Sequence, residues 1–171
     1  MRSKRPYTNA TFTKRVDHEA GRHRPSRAAS EPAVCESCGA VYAKRRWTAA
    51  NSASENKNKH QRLTTMVCPA CVQQRTGEPR GFVYLDGNFF VVHHEEIEQL
   101  LRNEAERAAE DNPLARIMKW NRGEDHKLTV TTTTEHLAQR LGRALEKAFG
   151  GATNYDFSHE NKLARVTWLR E

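Results

Sequence analysis

The four cysteines of the chain are arranged as two C-x-x-C pairs, Cys35 with Cys38 and Cys68 with Cys71. A C-x-x-C turn holds two thiolates within reach of one metal ion and points backbone N–H groups at the sulfur atoms. Two such knuckles supply a tetrahedral shell with metal–sulfur bonds of about 2.3 Å. Gly39 follows the first knuckle, where the turn often needs a positive φ. The sequence therefore predicts one four-cysteine metal site.

Two disulfides or an iron site are the alternatives for these cysteines. Disulfides belong to secreted proteins, and the stretch before Cys35 does not read as a signal peptide, so the spacing favours a metal. The pattern also resembles the iron site of rubredoxins, which are small acidic electron carriers. Their second pair is normally followed by glycine, whereas Val72 follows here in basic surroundings. Thiolates favour zinc or iron, and we expect Zn²⁺ in a closed, structural site.

Charge is unevenly distributed along the 171 residues, which carry a net charge of +7. Residues 1–62 hold 14 Lys and Arg against five Asp and Glu, a net charge of +9, and residues 63–171 hold 14 against 16, a net charge of −2. An anionic polymer is the natural partner of such a positive segment. No apolar run approaches the ~20 residues that span a bilayer. We expect a cytoplasmic protein without membrane contact.

A basic run next to an aromatic ring lies between the two knuckles. Lys44, Arg45 and Arg46 can pair with phosphates, and Trp47 beside them offers a flat ring for stacking on a base. Packing of Trp47 on the metal knuckle is an equally good interpretation. The other predicted RNA-binding residues are Arg22, Arg24 and Arg62. His60 is an alternative metal ligand if one cysteine is not used.

The first half of the chain divides into a tail and a ribbon. Residues 1–32 have the composition of a disordered basic arm, which either lies along phosphates or is a solvated tail. Residues 33–93 are predicted to form a zinc ribbon with a β-hairpin, in which 41–47 supply one strand. A further hairpin is expected over 81–92, around the turn pair Asp86-Gly87, and it either extends the ribbon or bridges it to the next domain.

The second half is predicted to hold linking helices and a small α+β domain. Residues 94–126 contain a helix to about Asp111 and a short helix that begins at Pro113. Residues 127–171 form a two-layer strand–helix–strand–strand domain, because one helix carries a single apolar stripe. The features expected of that helix are a capping box at 132–135, a buried stripe of Leu137, Leu141 and Leu145, an exposed face of Arg140, Arg143 and Lys147, and a stop at Gly150-Gly151. The fold class is therefore α+β.

Catalytic motifs are absent from the sequence. His94-Glu95 is followed by Glu98 rather than by histidine, so it is not the zinc-protease motif. There is no glycine-rich phosphate loop and no Ser/His/Asp grouping. A metal held by four cysteines also has no open position for water. We expect a protein that is not an enzyme and has no small-molecule substrate.

Several short motifs together resemble a family of short uncharacterised bacterial zinc-ribbon proteins. They are Cys35-x-x-Cys38-Gly-Ala-Val-Tyr, Arg46-Trp47, Cys68-Pro-Ala-Cys71, Arg102-Asn-Glu104, Pro113-Leu-x-Arg116-Ile-Met118 and Val130-Thr-Thr-Thr-Thr-Glu-His-Leu-Ala138. The layout is more distantly similar to the N-terminal region of nonsense-mediated decay protein three, an adaptor that binds the large ribosomal subunit. That adaptor has more cysteine pairs and further domains. The resemblance implies a role at RNA or the ribosome.

The sequence thus predicts a zinc-ribbon protein that binds ribosomal RNA or ribosomal proteins of the large subunit. Action in resting or stressed cells is a further hypothesis that no residue supports. The alternative is a protein–protein adaptor in which the metal is only a staple and the acidic helix 95–111 or the exposed face of the second helix recognises the partner. An electron carrier is a third possibility if the metal is iron.

Overall fold

The computed structural model describes residues 32–50, 64–123, 127–158 and 162–171. These residues form an α+β fold with two sheets and three helices. The strands are β1 (Ala33–Cys35), β2 (Val41–Ala43), β3 (Arg46–Thr48), β4 (Thr64–Met66), β5 (Gly81–Asp86), β6 (Ile117–Arg122), β7 (Leu128–Thr132), β8 (Ala152–Ser158) and β9 (Leu163–Leu169). The helices are α1 (Pro69–Thr76), α2 (Asn88–Asp111) and α3 (Glu135–Phe149).

The ribbon consists of strands β1–β4 and helix α1. Its small sheet has the order β3-β2-β1-β4, in which β1 and β4 are parallel and the other neighbours are antiparallel. One C-x-x-C pair begins at Cys35, the last residue of β1, and the other follows β4. Because the carboxyl ends of parallel neighbours lie at the same edge, the small sheet brings the two pairs together.

The large sheet has the order β6-β7-β5-β9-β8. Strand β5 lies at its centre, antiparallel to β7 and parallel to β9. Strands β6 and β8 are the two edges, each antiparallel to its neighbour. Strands β5 and β9 are the first and the last strand of the large sheet in chain order, so their pairing joins distant parts of the chain.

Both long helices pack on one side of the large sheet. Their buried side chains, including Ile97 and Leu101 of α2 and Leu141 of α3, share one apolar core with Val83 and Trp168 of the strands. Among the described residues, the alternate side chains on the opposite side of the sheet are half-buried or exposed, except that of Thr131, a residue that is 6% exposed. None of the described helices is long and apolar enough to cross a membrane.

The predicted hairpin over residues 81–92 is wrong. Strand β5 ends at Asp86, and Gly87, with a φ of 105°, leads into helix α2 instead of a second strand. The turn pair Asp86-Gly87 and the aromatic and β-branched residues after it are typical of a hairpin, but here they form the first turns of α2, up to a kink at His93 (φ −110°). Ile97 and Leu101 are buried on one face of the helix that follows the kink. Residues 81–86 therefore belong to the large sheet and not to the ribbon.

Three local expectations also differ from the structure. Residues 41–47 are not one strand but most of a hairpin, β2 and β3. The short helix expected from Pro113 is replaced by strand β6, since a short apolar run does not distinguish helix from strand. Helix α3 is capped by Thr134, whose Oγ1 accepts from the N–H of Leu137, so the cap lies two residues after the predicted Thr132, and no capping box forms because Leu137 stands where the box requires Glu or Gln. The predicted stop at Gly150 is confirmed.

Helix α3 has the predicted buried stripe, but its outer face is only partly free. Leu137, Leu141 and Leu145 are 0–1% exposed, and Arg143 is exposed as expected. Arg140 is instead half-buried between the two helices, where its Nε and Nη1 donate to Glu104 and Asp111 of α2 at 3.1 and 3.2 Å. The α2–α3 contact therefore has an ionic component that the exposed-face prediction missed.

Candidate metal centre

The four cysteine sulfurs converge at the edge of the small sheet. Each lies within 4.8 Å of the other three. Cys35 ends β1, Cys38 closes the turn after it, Cys68 precedes α1 and Cys71 lies in the first turn of that helix. Gly39 has the positive φ, 75°, that the knuckle was expected to require. The predicted grouping of the four cysteines is confirmed.

The sulfur geometry fits one tetrahedral ion. A tetrahedron with bonds of about 2.3 Å has edges of about 3.8 Å. The Sγ atoms of Cys35 and Cys71 are 3.8 Å apart, and those of Cys38 and Cys68 are 3.7 Å apart. Both distances are far longer than the about 2.05 Å of a disulfide bond. All four cysteines are free thiols, and their spacing is that of metal ligands.

Backbone groups already favour the thiolate at one position. Burial opposes ionisation of Cys35, but the N–H groups of Cys68, Ser37 and Cys38 outweigh it and lower its pKa to about 6. One of these bonds, from the N–H of Cys68 to the Sγ of Cys35, measures 3.3 Å and joins the two knuckles. Burial, together with the neighbouring sulfurs, raises the pKa of Cys68 and of Cys71. A bound divalent cation overcomes this opposition to ionisation, because a coordinated thiol is deprotonated.

Arg116 connects the cysteine cluster to the large sheet. Its Nη1 lies 3.5 Å from the Sγ of Cys71, and its Nε donates to the carbonyl of Pro113 at 2.8 Å. Burial opposes its charge, but the thiolates of Cys38, Cys68 and Cys71 outweigh burial and raise its pKa. Four thiolates around a divalent ion carry a net charge of −2, so the Arg116 guanidinium is a counterion for the centre.

Thr133 anchors Arg116 and also holds helix α1. The N–H of Arg116 donates to the Oγ1 of Thr133 at 2.8 Å, and the N–H of Thr133 donates back to the carbonyl of Arg116 at 2.9 Å. The Nε2 of Gln73, a buried residue of α1, donates to the carbonyl of Thr133 at 3.1 Å. The segment between β7 and α3 therefore contacts both the counterion and the helix that carries Cys71.

Trp47 belongs to the core of the ribbon. Only 8% of the residue is exposed, and it lies in one cluster with Cys35, Cys68 and Cys71. Its ring is 5.2 Å from that of Tyr42, at an angle of 48°. The alternative that Trp47 packs on the metal knuckle is therefore confirmed, and so little of the ring faces solvent that it offers no open face to a base.

The predicted basic run forms the tip of the β2–β3 hairpin. Lys44 and Arg45 are the two turn residues, and both have positive φ, 51° and 60°. Two successive residues with positive φ define a type I′ turn, in which Asn-Gly is favoured and long side chains are rare. The residues at 44–46 are all exposed. The hairpin thus presents three cations at one end of the ribbon in spite of backbone strain.

The remaining predicted residues Arg22, Arg24 and Arg62 lie outside the described residues, as do His60 and nearly all of the predicted arm. Sequence reasoning missed three residues around the centre, Gln73, Arg116 and Thr133. Two of them, Arg116 and Thr133, could have been identified from the sequence, because they belong to the motifs that carry the family resemblance. Gln73 had no comparable signal, since helix α1 itself was not predicted.

No protein-family model matches this chain, and no curated protein and no solved structure matches it. The four-cysteine centre and the basic turn at the opposite end of the small sheet are therefore the features from which a function has to be inferred.

Proposed function

We propose that this chain is a non-enzymatic zinc-ribbon protein that binds structured RNA and associates with the large ribosomal subunit. The observation that carries the proposal is the exposed basic turn, residues 44–46, held by the same small sheet that gathers the four cysteines. The ion makes the ribbon rigid, and the ribbon presents the cations to phosphates. The resemblance to a large-subunit adaptor supports the choice of subunit.

Zinc is the ion that this donor set favours. Four thiolates at tetrahedral spacing suit zinc or iron, and a closed shell of four cysteines is the usual structural zinc site. The site differs from the rubredoxin pattern in having Val72 after the second pair, and a basic turn lies on the same ribbon. With four protein ligands the ion has no open position, so its role is to hold the ribbon and Arg116 in place.

The conformation of the turn supports a binding role for its charges. The left-handed region destabilises a residue that has a side chain by about 1–2 kcal/mol. Lys44 and Arg45 both adopt it, where Asn and Gly would be unstrained. Strained residues that persist in this way are concentrated at functional sites. Pairing with phosphates is a function for two adjacent cations at a hairpin tip.

The adaptor alternative is weakened by the ion pairs of helix α2. Recognition by an acidic helix requires carboxylates that are available to a partner. Glu98 is paired with Arg102 and Arg122, and Glu104 with Arg107 and Arg140. Both glutamate side chains are only 13–15% exposed. Two of the carboxylates of α2 are therefore already paired with arginines of the same chain.

Sedimentation with purified ribosomal subunits across a salt series tests this proposal. Phosphate contacts release counterions, so the affinity should fall with a log–log slope of about −0.7 to −0.9 for each phosphate neutralised. We expect salt-sensitive co-sedimentation with the large subunit, weakened when residues 44–46 are replaced by alanine. An affinity that does not depend on salt concentration and is unchanged by this replacement would favour the protein adaptor instead.

A further inference from the structure

On the side of the large sheet that faces away from α2 and α3, where no described helix packs, the central strand carries two rings. Val83 and Leu85 of β5 point into the core and are 0–1% exposed, so Phe82 and Tyr84 lie on the opposite side, where both are half-buried. Their ring planes are within 5° of parallel, and their centroids are 6.1 Å apart. The middle of this side therefore carries two parallel aromatic rings.

Cations flank the first of these rings across the strands. In the register of the sheet, Phe82 is opposite Arg165 on β9 and Thr131 on β7, and Thr131 is opposite Lys119 on the edge strand β6. Neighbouring strands are about 4.8 Å apart, so both cations can reach a ligand seated on Phe82. Arg165 and Lys119 are exposed, and Arg165 contacts Asp156 of β8 at 3.6 Å.

Uncharged hydrogen-bonding groups surround the second ring. Tyr84 is opposite Thr129 on β7 and Thr167 on β9, and the outer positions of the same row are Asn121 and Asn154. Thr167, Asn121 and Asn154 are exposed. Amide and hydroxyl groups both donate and accept, which suits the edges of nucleobases.

We propose that this side of the sheet, residues Phe82, Tyr84, Lys119, Arg165, Thr129 and Thr167, is a platform for unpaired RNA bases. Two bases stack on Phe82 and Tyr84, Arg165 and Lys119 pair with the phosphates, and the threonines bond the base edges. The inference rests on the proposed RNA binding and adds the class of RNA, single-stranded segments, and a second contact surface besides the basic turn.

Charge and side-chain type favour RNA over a protein at this surface. The two rows around the rings contain two cations and one carboxylate, Asp156, a local net charge of +1 within residues 63–171, whose own net charge is −2. Apart from the two rings, these rows hold no apolar side chain, whereas the core of a protein interface is apolar. Aromatic rings among cations and amides are the composition with which proteins stack single-stranded bases.

The inference is tested with the full-length, metal-loaded chain and a fluorescein-labelled oligouridylate, followed by fluorescence anisotropy. Phe82→Leu/Tyr84→Leu removes both rings and keeps apolar volume on the strand. Loss of a stacked ring lowers affinity by about 5- to 150-fold per base. We expect the double variant to lose a factor in this range for each of its two rings, with an unchanged salt slope. Tyr84→Phe, which keeps the ring, should bind within about twofold of wild type.

Three results would overturn the inference: failure of the wild type to bind oligouridylate, wild-type affinity in the folded double variant, or equal affinity for oligouridylate and for its duplex with oligoadenylate. If the double variant loses large-subunit binding but keeps oligouridylate binding, the surface docks a protein and the inference is also wrong. Should the double variant lose its cooperative melting transition, Tyr84→Leu alone takes its place, with the same expected loss for one ring.

The same assays separate this inference from the proposed function. Lys44→Asn/Arg45→Gly removes the cations of the basic turn and leaves the sheet unchanged. Salt-sensitive subunit binding that this variant weakens, with no effect of the ring variants, would support the ribosomal proposal and refute the platform. Ring-dependent binding of oligouridylate without any binding to large subunits would support the platform and refute the ribosomal proposal.

Discussion

Replacing Lys44 by Asn and Arg45 by Gly should stabilise the ribbon and weaken its RNA binding at the same time. Both residues occupy the left-handed region, at a cost of about 1–2 kcal/mol each. Asn-Gly is the preferred pair in such a turn, but the flexibility of glycine in the unfolded chain returns about 0.5–1 kcal/mol. We expect a net increase of about 1–3.5 kcal/mol in the free energy of unfolding, measured by urea denaturation of the metal-loaded protein.

The same substitution removes two of the cations assigned to phosphate contacts. Each contact contributes about 0.7–0.9 to the log–log salt slope, so the slope for binding to purified ribosomal RNA should become shallower by about 1.5. Lys44→Arg/Arg45→Lys keeps both charges and the backbone strain, and should leave slope and stability nearly unchanged. A variant that is less stable than wild type would refute the strain argument, and an unaltered slope would refute the phosphate contacts.

Further predictions concern the centre and the core. Arg116→Met should weaken zinc binding by about 10- to 100-fold in competition with a chelator, because it removes the counterion of the centre. Arg75→Ala, which removes an exposed cation near the first knuckle, should change zinc binding little. Leu141→Ala should lower the free energy of unfolding by about 2–5 kcal/mol, and Arg143→Ala by less than about 0.5 kcal/mol; equal losses would contradict the assigned faces of α3. Burial opposes ionisation of Glu104, but two arginines outweigh it and lower its pKa, so its stabilising effect is present above its ordinary pKa of about 4.3 and is lost as pH falls through the folded value. Glu104→Gln should therefore melt below wild type at pH 7, with a difference that closes on acidification below about pH 4; a difference independent of pH would contradict the ion pairs.

Features encoded by short spacings were predictable from the sequence. The two C-x-x-C pairs define the metal shell without knowledge of the sheet, because each knuckle fixes its own two sulfurs. The stripe of Leu137, Leu141 and Leu145 identified the buried face of α3 in the same way, since a 3.6-residue period is local. Gly150 was recognised as the end of that helix because the residue after a helix often has a positive φ, which glycine adopts without strain.

Features decided by distant partners were not predictable. Strand β5 was assigned to a hairpin because Asp86-Gly87 is a strong turn signal, yet the tertiary partners of β5 are β7 and β9. The role of Arg116 depends on the approach of the knuckles to the segment before α3, which no local pattern encodes. The row of side chains around Phe82 and Tyr84 could be identified only once the five strands were in register, although these two residues alternate with buried residues as in any half-buried strand.

The claim on which the rest of the account depends is that one ion held by four cysteines builds the ribbon. Native mass spectrometry combined with thiol alkylation, before and after chelation, tests it most directly. We expect a colourless protein with one Zn²⁺ per chain, whose four cysteines resist alkylation until a chelator removes the metal. A metal-free folded chain with reactive thiols would contradict the account, and a red protein containing iron would contradict the assignment of zinc.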